Sequence, residues 1–187
     1  MAAAGLEARR LFFAVWPEES TRAALSALVR RLKPDIDGRW MPPETWHLTL
    51  AFLGSVEAER VAEARACGDA VRGEAGRLKL DRVEYWRRPD VLCLTSSLGS
   101  AALEGLAVSL ADVLRRADFR LEKRPFKAHL TLARKLRRLP QELPQSEPVS
   151  WPYRSFGLVE SVPADKGSCY QTLHTWPLAA GKLDGRG

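Results

Sequence analysis

Two of the three histidines in this chain open the same tetrapeptide. His-Leu-Thr-Leu occurs at His47–Leu50 and again, 82 positions on, at His129–Leu132. At average composition a given histidine is followed by Leu-Thr-Leu roughly once in two thousand, so the repetition asks for a reason. Imidazole is the side chain whose unperturbed pKa, about 6.5, lies nearest neutrality. Two imidazoles around one reacting group can hold opposite protonation states, one taking a proton from water and the other giving one to a leaving oxygen. The threonine hydroxyls two places on can donate hydrogen bonds to oxygens that gain charge. His47, Thr49, His129 and Thr131 therefore carry the parts of an in-line displacement at phosphorus that needs no metal.

Such chemistry requires both His–Thr pairs on one surface, and strands provide that. Side chains alternate between the two faces of a strand. His47, Thr49 and Ala51 then share one face and Leu48, Leu50 and Phe52 the other; His129, Thr131 and Ala133 share one face, Leu130 and Leu132 the other. The leucines anchor each strand in apolar core and leave the His–Thr face to something polar. If a pseudo-two-fold axis relates two lobes, both faces meet in one cleft.

The flanking sequence repeats as well. Leu11–Val15 reads as a buried strand, Pro17-Glu18-Glu19 as a helix start, and Leu25, Leu28, Val29 and Leu32 as the apolar stripe of that helix. Pro42-Pro43 marks a loop before the strand HLTLAFLG. In the second half Val91–Thr95 reads as a strand, Gly99-Ser100 as a break and cap, and Leu103, Leu106, Ala107, Leu110 and Leu114 as a helix; Pro125 then precedes HLTLAR. Leu11 lies 36 residues before His47 and Leu92 37 residues before His129, which reads as a divergent internal duplication. A helical stretch at Glu57–Arg72 and a strand at Leu78–Trp86 separate the copies, and strands at Tyr153–Val162 and Cys169–Trp176 follow them. The expected fold class is α+β: two pseudo-symmetric lobes, each a mainly antiparallel sheet with outer helices, around a central cleft. Residues 10–178 form one bilobal domain on this reading, with flexible ends at 1–9 and 179–187.

Composition narrows the function classes. The 187 residues are 45% hydrophobic and 28% charged, ordinary for a globular protein. Cys67, Cys93 and Cys169 are odd in number and widely spaced, against a disulfide framework or a cysteine-based zinc site. No apolar signal core precedes Arg9 and Arg10, and Leu11–Trp16 is far short of the ~20 residues of a membrane span, so a cytoplasmic protein is expected. The net charge of +6 is mild evidence for a polyanionic partner. Arg120, Lys123, Arg124, Lys127, Arg134, Lys135, Arg137 and Arg138 are opposed only by Glu122 and bracket the second motif. Such a run is usually a solvated face; because it brackets the second motif, an attraction for phosphate is expected here.

RLFFAVW, HLTLAFLG, RPFKAHLTLAR and CYQTLHTWPL together resemble the two-histidine (2H) phosphoesterase superfamily. Within it they are most similar to the RNA 2′,3′-cyclic phosphodiesterases, also called 2′-5′ RNA ligase (LigT) proteins. The resemblance spans about Arg10–Leu178. It implies two lobes of antiparallel sheet around a cleft and hydrolysis of an RNA terminal 2′,3′-cyclic phosphate to a 2′-phosphate, without cofactor or metal. Carried over by motif, His47 would protonate the 3′-oxygen, His129 would activate water, and Thr49 and Thr131 would hold the phosphate. Arg134 matches an arginine of the HxTxxR pattern. Strict alternation puts Arg134 opposite His129, so it reaches the phosphate only if the strand ends or bulges near Ala133. Phe12 and Tyr170 match aromatics near the family's cleft and could stack on a base. Many relatives carry proline before the second histidine, where this chain has Ala128. His174 stands in HTW rather than HxT and is assigned no catalytic role; alternation puts it on one face with Tyr170, Thr172 and Trp176.

The partner implied is an RNA 3′ end or a nucleoside 2′,3′-cyclic phosphate, with no membrane and a monomer as the default. Two alternatives share the cleft: 2′-5′ ligation of RNA ends by the same acid and base, and an RNA-end-binding module without turnover. A three-histidine metal site is disfavoured, because no H-x-H or H-x-x-x-H pair occurs.

Overall fold

The computed structural model describes residues 8–164 and 167–181. LFFAV lies within strand β1 (Ala8–Val15), and VLCLT forms a later strand, β6 (Val91–Thr95). Each is followed by an amphipathic helix. The first, α1 (Glu19–Leu32), buries Leu25, Leu28, Val29 and Leu32. Its counterpart, α3 (Ala101–Arg116), buries Leu103, Leu106, Ala107, Leu110 and Leu114. Ser100 caps α3 by accepting from the Leu103 N–H, as the Gly-Ser break implies. The two motifs begin β3 (Leu48–Glu57) and β7 (His129–Arg138). β3 pairs antiparallel with β1 and β7 with β6, so the two strand–helix–strand units have the same connectivity.

Four features were not read from the sequence. Asp37–Trp40 forms a short strand, β2, whose DGRW sequence has no apolar alternation. It pairs with β7, so a strand of the first half completes the sheet of the second. The stretch Leu78–Trp86 is two strands rather than one, β4 (Gly76–Leu80) and β5 (Arg82–Trp86). They part at Asp81, whose carboxylate accepts from the Ser97 backbone N–H at 2.8 Å and the Ser97 hydroxyl at 2.7 Å. Val149–Tyr153 is a separate strand, β8, paired with β4 in a two-stranded sheet. β9 (Ser155–Ala164) therefore starts after Tyr153, and β10 (Gly167–Pro177) extends the expected strand at both ends. The helix between the copies, α2 (Val61–Asp69), fills the middle of its expected stretch.

The main sheets run β10-β9-β1-β3 and β2-β7-β6-β5, which gives the α+β architecture of two antiparallel lobes expected from the duplication. One continuous core includes Leu11, Phe13 and Leu48 of the first unit, Leu92, Leu94, Leu130 and Leu132 of the second, and the apolar stripes of α1 and α3. Order extends past the domain boundaries drawn on the sequence. Ala8 and Arg9 belong to β1, and Arg9 pairs with Glu160. The Ala179 carbonyl accepts from the Ala75 N–H at 2.7 Å. Residues 1–7 and 182–187 of the two ends assigned as flexible lie outside the described residues. Among the described residues no helix is long and apolar enough to cross a membrane.

Candidate active site

Both motif strands carry the same irregularity. In the β1–β3 ladder Phe13 faces Ala51 and Ala14 faces Thr49, which leaves Leu50 without a partner. In the β6–β7 ladder Leu92 faces Ala133 and Cys93 faces Thr131, which leaves Leu132 without one. An extra residue of this kind is a β-bulge, and it reverses the alternation beyond it. The alternation read from sequence therefore fails at its fifth position. Ala51 and Ala133 turn into the core instead of joining the histidine face, at 8% and 0% exposure. Phe52, assigned to the anchoring face, turns outward and is 44% exposed. The same bulge brings Arg134 to the side of His129 and Thr131, which meets the condition set for it. The repeat is thus HLTLA with a bulge, and Phe52 and Arg134 are equivalent positions of its two copies.

His47, Thr49, Phe52, His129, Thr131, Arg134, Phe12 and Tyr170 all line one cleft of ≈ 820 Å³. The structure brings together every site residue named from the sequence. The two histidines are held alike. His47 Nδ1 lies 2.6 Å from the Thr45 carbonyl oxygen and His129 Nδ1 2.8 Å from the Lys127 carbonyl oxygen, each two residues upstream. A carbonyl can only accept, so Nδ1 carries the proton and donates in both rings. Nε2 is then the atom left to exchange protons in the cleft. A single 3₁₀ turn at Pro43–Thr45 fixes the first of these carbonyls, and the Thr45 hydroxyl donates back to the Pro42 oxygen at 2.8 Å.

The surroundings of the two rings differ. His47 sits among Phe12, Tyr170 and Trp16, with ring centroids 4.9, 5.1 and 5.4 Å away. Burial in this aromatic cage, opposed by the bond to Thr45 and aided by the positive charges of His129 and Arg134, lowers its pKa to about 4. His129 lies 4.7 Å from the Trp86 ring. Its pKa is also lowered, first by burial and then by Lys127 and Arg134, against the bond to Lys127 O. Glu84 ties this side together: it accepts from Trp86 Nε1 at 2.8 Å, Lys127 Nζ at 2.7 Å and Thr95 Oγ1 at 3.0 Å. Cys93, opposite Thr131, is fully buried, and burial pushes its thiol up to about 12, which keeps it protonated at neutral pH.

Sequence reasoning missed several of these groups. Phe52 was misassigned by strict alternation. Trp86 and Glu84 lie on β5, whose separate existence was not read. Arg9, Arg10 and Arg39 also line the cleft, and none belongs to the basic run at 120–138. Of that run only Arg134 reaches the cleft. Lys127 pairs with Glu84, Arg137 with Asp37 and Arg124 with Glu122, while Arg138 donates to the Pro34 oxygen. His174 stands apart from the cleft, 4.6 Å from the Trp176 ring. A bulge at Leu173 parts it from Thr172, so Tyr170 reaches the cleft while Trp176 stacks on Phe156 in the core. The shared face expected for Tyr170 and Trp176 is therefore broken. Among the described residues no group of three or more His, Cys, Asp or Glu side chains converges as a metal site would require.

Comparison with known proteins agrees with this geometry. The family model described as LigT like Phosphoesterase matches residues 15–93, which hold the first motif. The RNA 2′,3′-cyclic phosphodiesterase of Thermus thermophilus is 32% identical over 178 residues, covering 90% of this chain and 90% of that protein. The Escherichia coli protein of the same name is 30% identical, covering 92% and 98%. The crystal structure of E. coli LigT complexed with 3′-AMP superposes with a TM-score of 0.83 at 29% identity, covering 92% of this chain and 99% of that one. Paired bulged HLTLA strands, two imidazoles in one cleft and likeness along nearly the whole length lead to one conclusion: the chain belongs to the LigT-like phosphoesterase family.

Proposed function

We propose that this protein hydrolyses the 2′,3′-cyclic phosphate at the 3′ end of RNA to a 2′-phosphate, using His47 as general acid and His129 as general base. The observation that carries the reading is the pair of imidazoles on duplicated strands, each pinned through Nδ1 with Nε2 left for the cleft. The names of the relatives support the same substrate.

The reaction begins with the cyclic phosphate between the two rings. His129 Nε2 takes a proton from water as the water oxygen bonds to phosphorus in line with the 3′-oxygen. The P–O3′ bond breaks, and His47 Nε2–H gives its proton to that oxygen. The product carries a 2′-phosphate and a free 3′-hydroxyl. Thr49, Thr131 and Arg134 donate to the non-bridging oxygens, which gain charge in the transition state. Phe12, Tyr170 and Phe52 wall the nucleoside.

An acid must be protonated, and burial opposes this at His47. The substrate resolves the conflict. Half-protonation at neutral pH requires roughly 4 kcal/mol of extra stabilisation. One phosphate charge about 4 Å away supplies about that much at an effective dielectric near 20. His47 thus takes up its proton together with the anionic substrate, and free protein holds neither.

Residues 10–178 act as one catalytic unit, as a monomer and in the cytoplasm on this reading; the free cysteines Cys67, Cys93 and Cys169 suit a reducing compartment. The test is a short RNA ending in a 2′,3′-cyclic phosphate, incubated in excess EDTA with the native protein, His47→Ala and His129→Ala. A 2′-phosphate product that forms in EDTA, and forms at least ~10²-fold more slowly with each variant, is the expected result. Binding without turnover by the native protein would move the reading to an RNA-end-binding module.

A further inference from the structure

Building on the phosphodiesterase reading, we infer that Arg39 forms a second phosphate subsite that takes the 5′-phosphate of the terminal nucleotide. The preferred substrate is then an RNA end rather than a free nucleoside cyclic phosphate.

The argument starts from the β2–β7 ladder, where Arg39 stands directly opposite Arg134. Residues facing each other across an antiparallel pair have Cβ atoms about 4.5–5.5 Å apart, and like charges in such a pair are destabilising. Both arginines line the cleft. The other arginines lining the cleft have partners: Arg9 pairs with Glu160, and Arg10 lies over the Phe52 ring at 4.8 Å. Among the described residues no carboxylate pairs with Arg39 or Arg134. Two facing guanidinium groups without a counter-charge are relieved by anions, and the cleft between them is where an anion enters.

The two guanidinium groups occupy different places in the cleft: Arg134 follows His129 and Thr131 on β7, and Arg39 comes from the neighbouring strand β2. Arg39 instead reaches toward β10: a Cβ at Gly167 would lie 3.6 Å from its Nη2. Arg134 therefore stands at the reacting phosphate, and Arg39 stands beside it toward the β9–β10 rim, with Pro163 and Ser168 as neighbouring cleft residues. The next phosphate of an RNA chain lies one nucleotide away, a step that adjacent strands can span. At ≈ 820 Å³ the cleft has room for more than one nucleoside and its cyclic phosphate. A planar, bidentate guanidinium suits a phosphodiester oxygen pair.

Two minimal substrates isolate this contact: adenosine 2′,3′-cyclic phosphate with a free 5′-hydroxyl, and the same compound with a 5′-phosphate. Values of kcat/KM are compared for the full-length native protein, Arg39→Gln and Arg39→Lys. The native protein is expected to prefer the 5′-phosphorylated compound by about tenfold or more. In Arg39→Gln the ratio falls toward one, and in Arg39→Lys part of it returns. A native ratio near one, with both compounds turned over, overturns the subsite while leaving the phosphodiesterase reading intact. So does an Arg39→Gln variant that loses activity on both compounds alike, because Arg39 would then act at the reacting phosphate. If the native protein turns over neither compound, the short RNA ending in a 2′,3′-cyclic phosphate decides: its hydrolysis overturns the subsite alone, because a 5′-phosphate then does not make a substrate, and its survival overturns the phosphodiesterase reading and the subsite with it.

Discussion

His47 and His129 share a backbone tether and differ in what lies on their rings, and this difference has a thermodynamic signature. His47 enters the fold as a neutral ring with a pKa of about 4, while a histidine in the unfolded chain titrates near 6.5. Between those values the unfolded chain binds a proton that the native state does not. Stability therefore rises with pH through this window. It is fully present above about 6.5 and is lost as the pH falls toward 4. The whole effect amounts to roughly 3 kcal/mol. Urea unfolding at pH 7 and at pH 4.5 is expected to show His47→Gln losing less stability on acidification than the native protein, by most of that amount. Equal losses would mean that the aromatic cage of Phe12, Tyr170 and Trp16 does not penalise the charged ring. That two imidazoles would share one cleft was legible in the sequence because the motif occurs twice. The environment of each ring was not. Phe12 and Trp16 come from β1 and its end, Tyr170 from β10, and Trp86 from β5, and only tertiary structure gathers them.

At the scale of the element, the bulge decides what faces the cleft. Strict alternation assigned Ala51 and Ala133 to the histidine face and Phe52 and Arg134 to the other, and each assignment is reversed. The signal was present, because the alanine follows the tetrapeptide in both copies and a small buried residue is what a bulge inside a core can accept. Ala133 is fully buried and faces Leu92. Ala133→Leu is expected to overpack this point, costing about 1–3 kcal/mol and turning Arg134 away from the cleft side of His129 and Thr131. A denaturant titration measures the first effect as a lower midpoint with an unchanged slope. Cyclic phosphate turnover measures the second, as a loss beyond the share of unfolded protein. A variant with normal stability and normal turnover would show that the bulge is not needed to aim Arg134. Other misreadings also have local causes. Asp81 interrupts a strand-like run because its carboxylate is held by Ser97. β2 has too little apolar pattern to be seen, and yet it carries Arg39.

At the scale of the whole molecule, the duplication yields two lobes that are stitched together rather than merely adjacent. β2 leaves the first unit and closes the edge of the second unit's sheet, and one core runs through both. The sequence showed the repeat and the absence of a linker, but nothing in it marked the strand that crosses. The cleft's positive charge was misplaced for the same reason: the conspicuous run at 120–138 is mostly paired or solvated, and the remaining cleft arginines arrive from β1 and β2. A shared core has a direct consequence for folding. Leu92 lies in the second lobe, fully buried in the cluster that also holds Phe13 and Leu48 of the first. Leu92→Ala is expected to cost about 2–5 kcal/mol through lost burial and the cavity left behind. If the lobes are one cooperative unit, that cost lowers a single transition, followed alike by far-UV circular dichroism and by tryptophan fluorescence, to which Trp46 near the first motif and Trp86 near the second both contribute. Independent lobes would instead give two transitions, with only the one reported from the second lobe displaced. Because each lobe supplies one imidazole to the cleft, cooperative unfolding also means that both are lost together, and activity should fall on the same denaturant curve as the spectroscopic signals.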